Sequence, residues 1–414
     1  MQFTRFLRNE AVTPEEMAAH ASEATARRVA GRDVIVIQDT SELALGGRRA
    51  RANGYGPVGK GGALRGLLLH AVVAVEAETG ALLGLVDFKV WNRKGGKVKS
   101  RRTRTTAQKE SQCWIDGAAR AGEVLAQARS MTAVSDRGSD IYEHFARRPS
   151  HVDQIVRACQ NRKIEPDEES EEEHSYLFPF IDSQAEQGRF SVKIPAAPGR
   201  KAREAEVAVR FSPVVLSKPL HGASAGLPDS VALTLVDVRE TAQPETGEAI
   251  HWRLLTTHAV SNVEEARRIV DLYRMRWIIE EFFRTLKTAG FDIEETDISD
   301  PRAMINFVAA ATTAAVTVMQ LVQARDGTTE QTLAQAFEPS DQPLLEALCA
   351  KLEGKTARQK NPHPKGSLAF AAWVIARLGG WTGYYGKPGP RVMREGLHDF
   401  QRIKYGSTLA LQNV

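Results

Sequence analysis

Cysteine is scarce in this sequence. Its 414 residues include three, Cys113, Cys159 and Cys349, widely spaced and odd in number. That excludes a disulfide framework and a thiolate metal site, and makes a reducing, cytoplasmic compartment the expectation. The ten histidines show no metal-ligand spacing. The opening Met1-Gln2-Phe3-Thr4-Arg5 has none of the layers of a signal peptide, and no internal repeat is visible. The longest uncharged run, Ala303 to Ala324, is long enough to span a bilayer. It contains Asn306, Thr312, Thr313, Thr317, Gln320 and Gln323, so it reads as a buried helix, and no membrane partner is expected. Gly54-Tyr55-Gly56-Pro57-Val58-Gly59-Lys60-Gly61 resembles a phosphate-binding loop, but Gly61 stands where a Mg²⁺-binding hydroxyl should be and a strand-like run follows instead of a helix. No nucleotide cofactor is expected.

What is present is ordinary globular composition, 42% hydrophobic and 26% charged, with room for about two or three domains. The net charge of +4 is unevenly spread. Arg93, Lys94, Lys97, Lys99, Arg101, Arg102 and Arg104 form an acid-free block, with Arg48, Arg49 and Arg51 as a smaller cluster. Such clustering in a near-neutral chain suits contact with a polyanion. Residues 165–173 are strongly acidic and look like a boundary.

Thr13-Pro14-Glu15-Glu16 carries the marks of a helix start. Val34 to Ile37 is a continuous β-branched run, the pattern of a strand buried on both faces, and it ends in Gln38-Asp39-Thr40. Leu67 to Val75 and Leu82 to Val90 read as a hairpin. A helix is expected over about 112–129, then a second buried strand, Met131 to Val134, ending in Ser135-Asp136-Arg137. Residues 190–239 read as strands, His251 to Leu255 as another strand, and 263–288 as one long helix. The remainder is mostly helical, with a Gly/Pro-rich break over 379–390.

Asp39 and Asp136 each end a buried strand, where ligand and catalytic groups of open α/β sheets collect. A strand-end aspartate is also an ordinary turn former, so neither alone is a site. On the long helix, at ~100° per residue, Tyr273, Arg276, Glu280, Arg284 and Lys287 fall on one stripe about 80° wide. Met275, Ile278, Ile279, Phe282 and Leu286 fall opposite. The expectation is that the apolar side docks the helix and the polar stripe faces outward. One Glu flanked by three cations and a Tyr suits a carboxylate that holds a metal ion beside a phosphate chain.

Asp39-Thr40, Ser135-Asp136-Arg137 and the Tyr-x2-Arg-x3-Glu-x6-Lys spacing at Tyr273, Arg276, Glu280 and Lys287 together resemble the insertion-sequence-four family of bacterial DDE transposases. The similarity extends to Lys109-Glu110-Ser111, to Trp252-Arg253-Leu254-Leu255-Thr256 and to Ile375-Ala376-Arg377-Leu378-Gly379-Gly380. The resemblance implies an α/β, RNase-H-like mixed sheet with flanking helices, interrupted by a β-rich insertion, plus a C-terminal helical region. The corresponding division is a residual N-terminal helical segment (1–30), a core in two parts (31–163 and 251–325), the insertion (164–250) and a helical region suited to dimerisation (326–414).

It further implies cut-and-paste transposition, with Asp39, Asp136 and Glu280 as catalytic metal ligands. Three close carboxylates repel one another, and two divalent ions, Mg²⁺ with Mn²⁺ as substitute, would neutralise them. Arg276 and Lys287 would hold backbone phosphates, with Tyr273 assisting and Arg284 on the same stripe. Trp252 and Trp277 are candidates for stacking on a displaced base. Arg137 and Arg157 are further candidate phosphate contacts. The implied partner is double-stranded DNA, bound by a homodimer. The chain begins where a full-length relative would be several dozen residues in. An alternative expectation is therefore a shortened, non-productive regulator of transposition, and a third is a stand-alone nuclease.

Overall fold

The computed structural model describes residues 2–46, 53–94, 104–166, 175–194, 202–221, 224–245 and 247–412. Arg48, Arg49 and Arg51, positions 95–103 of the basic block and positions 167–173 of the acidic stretch lie outside them.

The elements follow the apolar pattern closely. Helices α1 (Gln2–Arg8) and α2 (Pro14–Arg28) come first, and Glu16 N–H donates to Thr13 Oγ1 at the start of α2. Then come β1 (Asp33–Ala44), β2 (Gly56–Val58), β3 (Leu64–Glu76) and β4 (Leu82–Trp91). Helix α3 (Gln112–Val124), β5 (Ser130–Ser135), α4 (Tyr142–Ala146) and β6 (Asp153–Arg157) follow. Helix α5 (Leu177–Ser183) precedes β7 (Gly188–Ile194), β8 (Arg203–Ser217), β9 (Ser230–Glu240) and β10 (His251–Thr256). The rest is helical: α6 (Val263–Arg274), α7 (Trp277–Arg284), α8 (Pro301–Ala324), α9 (Gln342–Leu352), α10 (Leu368–Leu378) and α11 (Pro390–Gln412).

The strands form a single mixed sheet in the order β2-β3-β1-β5-β6-β10-β9-β8-β7, with β4 also on β3. Strand β1 is antiparallel to β3 and parallel to β5, which is parallel to β6. This is an RNase-H-like arrangement. The β-rich insertion is not a separate layer: β7–β9 extend the core sheet through β10, which pairs with β6 on one side and β9 on the other. Alternate residues of β1 enter two cores. Ile35 and Ile37 pack with Ile269, Phe282 and Met304 from α6, α7 and α8, while Val34 and Val36 pack with Ala121 of α3 and Leu125 just after it. A strand buried on both faces reads as a continuous apolar run for this reason.

Helix α8 is the long uncharged run, and it lies inside the protein. Its polar residues have internal work: Asn306 Nδ2 donates to the carbonyls of Leu7 and Val12, and Gln320 Nε2 to that of Leu82. The loop that resembled a phosphate-binding loop leads through a 3₁₀ turn into β3, and Gly59 N–H donates to Glu42 Oε2 at 2.7 Å. A protein carboxylate thus takes a loop amide. In the C-terminal region α10 and α11 cross on two glycines: a Cβ on Gly396 would meet the Ile375 carbonyl oxygen at 1.8 Å, and one on Gly379 that of Val392 at 2.1 Å.

One expected element is corrected. The helix over 263–288 is broken at Met275-Arg276, where Met275, Arg276, Ile278 and Ile279 N–H groups each bond three residues back. A 3₁₀ turn rotates each residue by ~120°. A further π-helical turn, Thr285–Ala289, closes the segment. Counting at a uniform 100° per residue therefore misplaces the side chains on either side of the break. The helix over 112–129 also stops early, at Val124, because Gln127 turns back to accept Gly31 N–H at 2.9 Å.

Candidate active site

Asp39 does not end its strand as expected, since β1 runs on to Ala44 along β3, whereas Asp136 lies just past the end of β5; the two hold equivalent positions relative to these neighbouring parallel strands. Ile37 pairs in register with Val134, and each aspartate lies two residues further on. With a side-chain period of two, both carboxylates leave the sheet on the Ile37 face, the one covered by α6, α7 and α8. Pairing of β1 with β5 stops at Ile37, whereas β1 follows β3 as far as Ala44. The divergence opens a cavity of about 380 Å³ that both aspartates line, with Glu42 and Glu110 close by. Thr40 N–H donates to Asp39 Oδ1, and Gly138 N–H to Asp136 Oδ1, each at 2.7 Å.

Glu280 enters from the first turn of α7. Arg276 joins it to Asp39: Nη2 donates to Glu280 Oε1 at 2.5 Å and Nη1 to Asp39 Oδ2 at 3.4 Å. Burial and the neighbouring Asp136 charge push the Asp39 carboxyl up to about 7, with Glu280 adding to the rise and the Thr40 amide and Arg276 opposing it. Among the described residues no three Asp, Glu, His or Cys side chains already form a ligand cluster. A guanidinium lies between Asp39 and Glu280 instead. The donors are all carboxylate oxygens, the set that suits hard cations such as Mg²⁺ and Mn²⁺, and Arg276 shows that this group of acids draws a cation. The residues fit a divalent ion.

The remaining sequence candidates divide into two places. Arg137, Arg157, Trp252 and Trp277 line a second cavity of about 590 Å³, where Lys193 and Arg274 join them. Trp277 is 39% exposed, with the Arg276 guanidinium 5.7 Å from its ring centre. Arg157 donates to the His251 carbonyl at 3.1 Å, and burial lowers its pKa. Arg284 and Lys287 lie elsewhere. Arg284 pairs with Glu281 on the exposed side of α7. Lys287 donates to the Glu42 carbonyl and stands 3.6 Å from Glu294.

Tyr273 corrects the outward stripe. It is 3% exposed, packed edge-on to Trp252 at 5.7 Å, and burial raises its pKa despite the nearby Arg276 and Arg157 charges. The 3₁₀ break turns it inward while Glu280 stays at the surface. Arg93 is a second correction. Instead of standing free for a polyanion, it is held by Glu42 at 2.8 Å and Glu110 at 2.7 Å. Lys94 and Arg104 are the other described members of that block.

A family model described as a transposase DDE domain matches residues 33–317. The chain belongs to the DDE transposase family. Both cavities fall within the matched span, and so do Asp39, Asp136 and the helix carrying Glu280. DDE transposases act on DNA, cutting and joining strands, and generally use divalent metal ions such as Mg²⁺. Beside the acids of this transposase stand Glu42 and Asp140, which no sequence pattern marked, and Glu110, known from the sequence only as part of the Lys109-Glu110-Ser111 segment. Glu42 and Glu110 clamp Arg93. Asp140, four residues after Asp136, is fully buried, pairs with Arg162 at 2.7 Å and accepts the Cys159 and Gln160 amides. Nothing local marks these pairings, because each partner comes from a different part of the chain.

Proposed function

We propose that this chain is a cut-and-paste DNA transposase of the insertion-sequence-four type, with Asp39, Asp136 and Glu280 as the acids that hold its divalent ions. The supporting observation is that Asp39 and Glu280, from distant parts of the chain, share one internal cation, Arg276, while Asp136 stands close enough for its charge to raise the Asp39 pKa. When bound, the ions would activate water or a 3′-hydroxyl and stabilise the leaving oxygen. The chain's own groups orient the DNA. Arg276 sits one helical turn from Glu280, and once it leaves the acids it can take a backbone phosphate bidentately. Arg137, Arg157, Lys193 and Arg274 make the second cavity cationic, and Trp252 and Trp277 offer faces to a base displaced from the stack.

On this reading residues 31–163 and 251–325 are the catalytic core, 164–250 the insertion and 326–414 a region that helps two copies hold two ends. No observation among the described residues favours the regulator reading. The test is nicking, in Mg²⁺ or Mn²⁺, of DNA carrying the sequences that flank the gene. Nicking should vanish in Asp39→Asn, Asp136→Asn and Glu280→Gln and in the presence of a chelator. Wild-type cutting by any one of these variants removes that acid from the assignment.

A further inference from the structure

The C-terminal helical region contains a second, longer acid-free stretch. From Gly354 to Arg394 there is no Asp or Glu, and there are eight basic residues. Four of the eight are neutralised by acids from outside the stretch: Lys365 by Glu346, Lys387 by Asp326, Arg391 by Asp292 and Arg394 by Glu395. Arg377 donates to the carbonyls of Leu352 and Trp381. Lys355, Arg358 and Lys360 remain. All three are exposed, and among the described residues none has a carboxylate partner.

These three cations sit on one tight turn. A 3₁₀ turn, Ala357–Gln359, is closed by Gly354 N–H donating to the Gln359 carbonyl at 3.0 Å. A second loop leans on it. Tyr384 Oη is 2.8 Å from Thr356 Oγ1, and a Cβ on Gly383 would approach the Arg358 carbonyl oxygen at 2.8 Å. That contact presents Tyr384, 41% exposed, and Tyr385, 85% exposed, beside the cations. The second loop begins just after the Ile375–Gly380 segment, whose glycine crossing anchors it.

We propose that these paired loops form a second DNA-binding surface, which takes the phosphate backbone of a duplex outside the cleavage site. Exposed cations without carboxylate partners favour a polyanion. Their release of counterions gives a sequence-independent, salt-sensitive contact. Tyrosine adds a hydroxyl donor for phosphate and a ring for the sugar edge. The proposal draws on the DNA-acting reading for the nature of the polyanion, and it does not involve the acids.

The test measures binding of a random-sequence duplex with no transposon end, in EDTA, by anisotropy over a range of NaCl concentrations. The variant Lys355→Ala, Arg358→Ala and Lys360→Ala together should bind more weakly, with a salt slope shallower by about 2–3, since each lost phosphate contact removes about 0.9. Tyr385→Ala should weaken binding at every salt concentration and leave the slope unchanged. All four side chains are exposed, so melting temperatures should match wild type and exclude misfolding. Wild-type affinity and slope in the triple variant overturn the proposal and leave the acid site untouched. A wild-type protein that binds no duplex overturns this surface and the DNA-acting reading together.

Discussion

Arg276 and Asp39 face each other across the cleft at 3.4 Å although 237 residues separate them in sequence. The same guanidinium holds Glu280. Asp39 and Glu280 thus share one internal cation, and any divalent ion they hold must compete with a residue that is itself suited to bind phosphate.

Arg276→Gln should therefore separate two effects. With the competing cation gone, Mn²⁺ affinity of the DNA-free protein, measured by calorimetry, should rise severalfold, while DNA nicking falls. Without metal the variant should lose about 1–3 kcal/mol, because two partly buried carboxylates lose their partner. Unchanged Mn²⁺ affinity would mean that Arg276 does not compete for the acids.

Two buried histidines set the acid limit of stability. Burial, helped by the nearby His144 and Lys89 charges, holds His70 at about 3, and burial holds His144 at about 4. Both are depressed in the folded state, so between pH 6.5 and about 4 the unfolded chain binds protons that the folded chain refuses. Stability is present above pH 6.5 and is lost as pH falls. Each histidine should remove about 1–2 kcal/mol between pH 6.5 and 5. Urea midpoints at pH 7.5 and 5 should converge in His144→Asn relative to wild type. An unaltered pH dependence would show that His144 is solvated.

The α10–α11 crossing predicts opposite outcomes for one substitution at two glycines of the same helix. Gly396→Ala drives a methyl into the Ile375 carbonyl, whereas at Gly406 a Cβ meets nothing. Gly396→Ala should cost about 2–3 kcal/mol through forced separation of the helices. Gly406→Ala should be neutral or stabilise by up to about 1 kcal/mol through helix propensity. Equal melting temperatures for the two would refute the close crossing.

Asp140 carries the loop that presents Asp136. Arg162→Met strands its buried carboxylate and should cost about 3–5 kcal/mol. Asp140→Asn, which keeps the shape and loses the charge, should cost less and should lower the nicking rate at saturating DNA more than it weakens DNA binding. A variant with wild-type stability and rate would show that the pair does not position the loop.

The candidate acids were legible because an aspartate just after an apolar run and a Tyr-Arg-Glu-Lys spacing are short-range patterns, although β1 in fact continues past Asp39, and the sheet was legible because strands buried on both faces read as continuous apolar runs. Alternation along β1 also implies that Asp39 shares a face with Ile37. Four features were not legible: the outward stripe failed at Tyr273, Arg93 proved to be held by Glu42 and Glu110, the insertion joined the core sheet, and the cations at 355–360 escaped notice. Periodicity records what one element does with its own hydrogen bonds. It cannot register a 3₁₀ turn forced by packing, the strand that an edge will accept, or the carboxylate that reaches a given arginine. Those outcomes depend on contacts between residues as much as 237 positions apart, which exist only after the chain has folded.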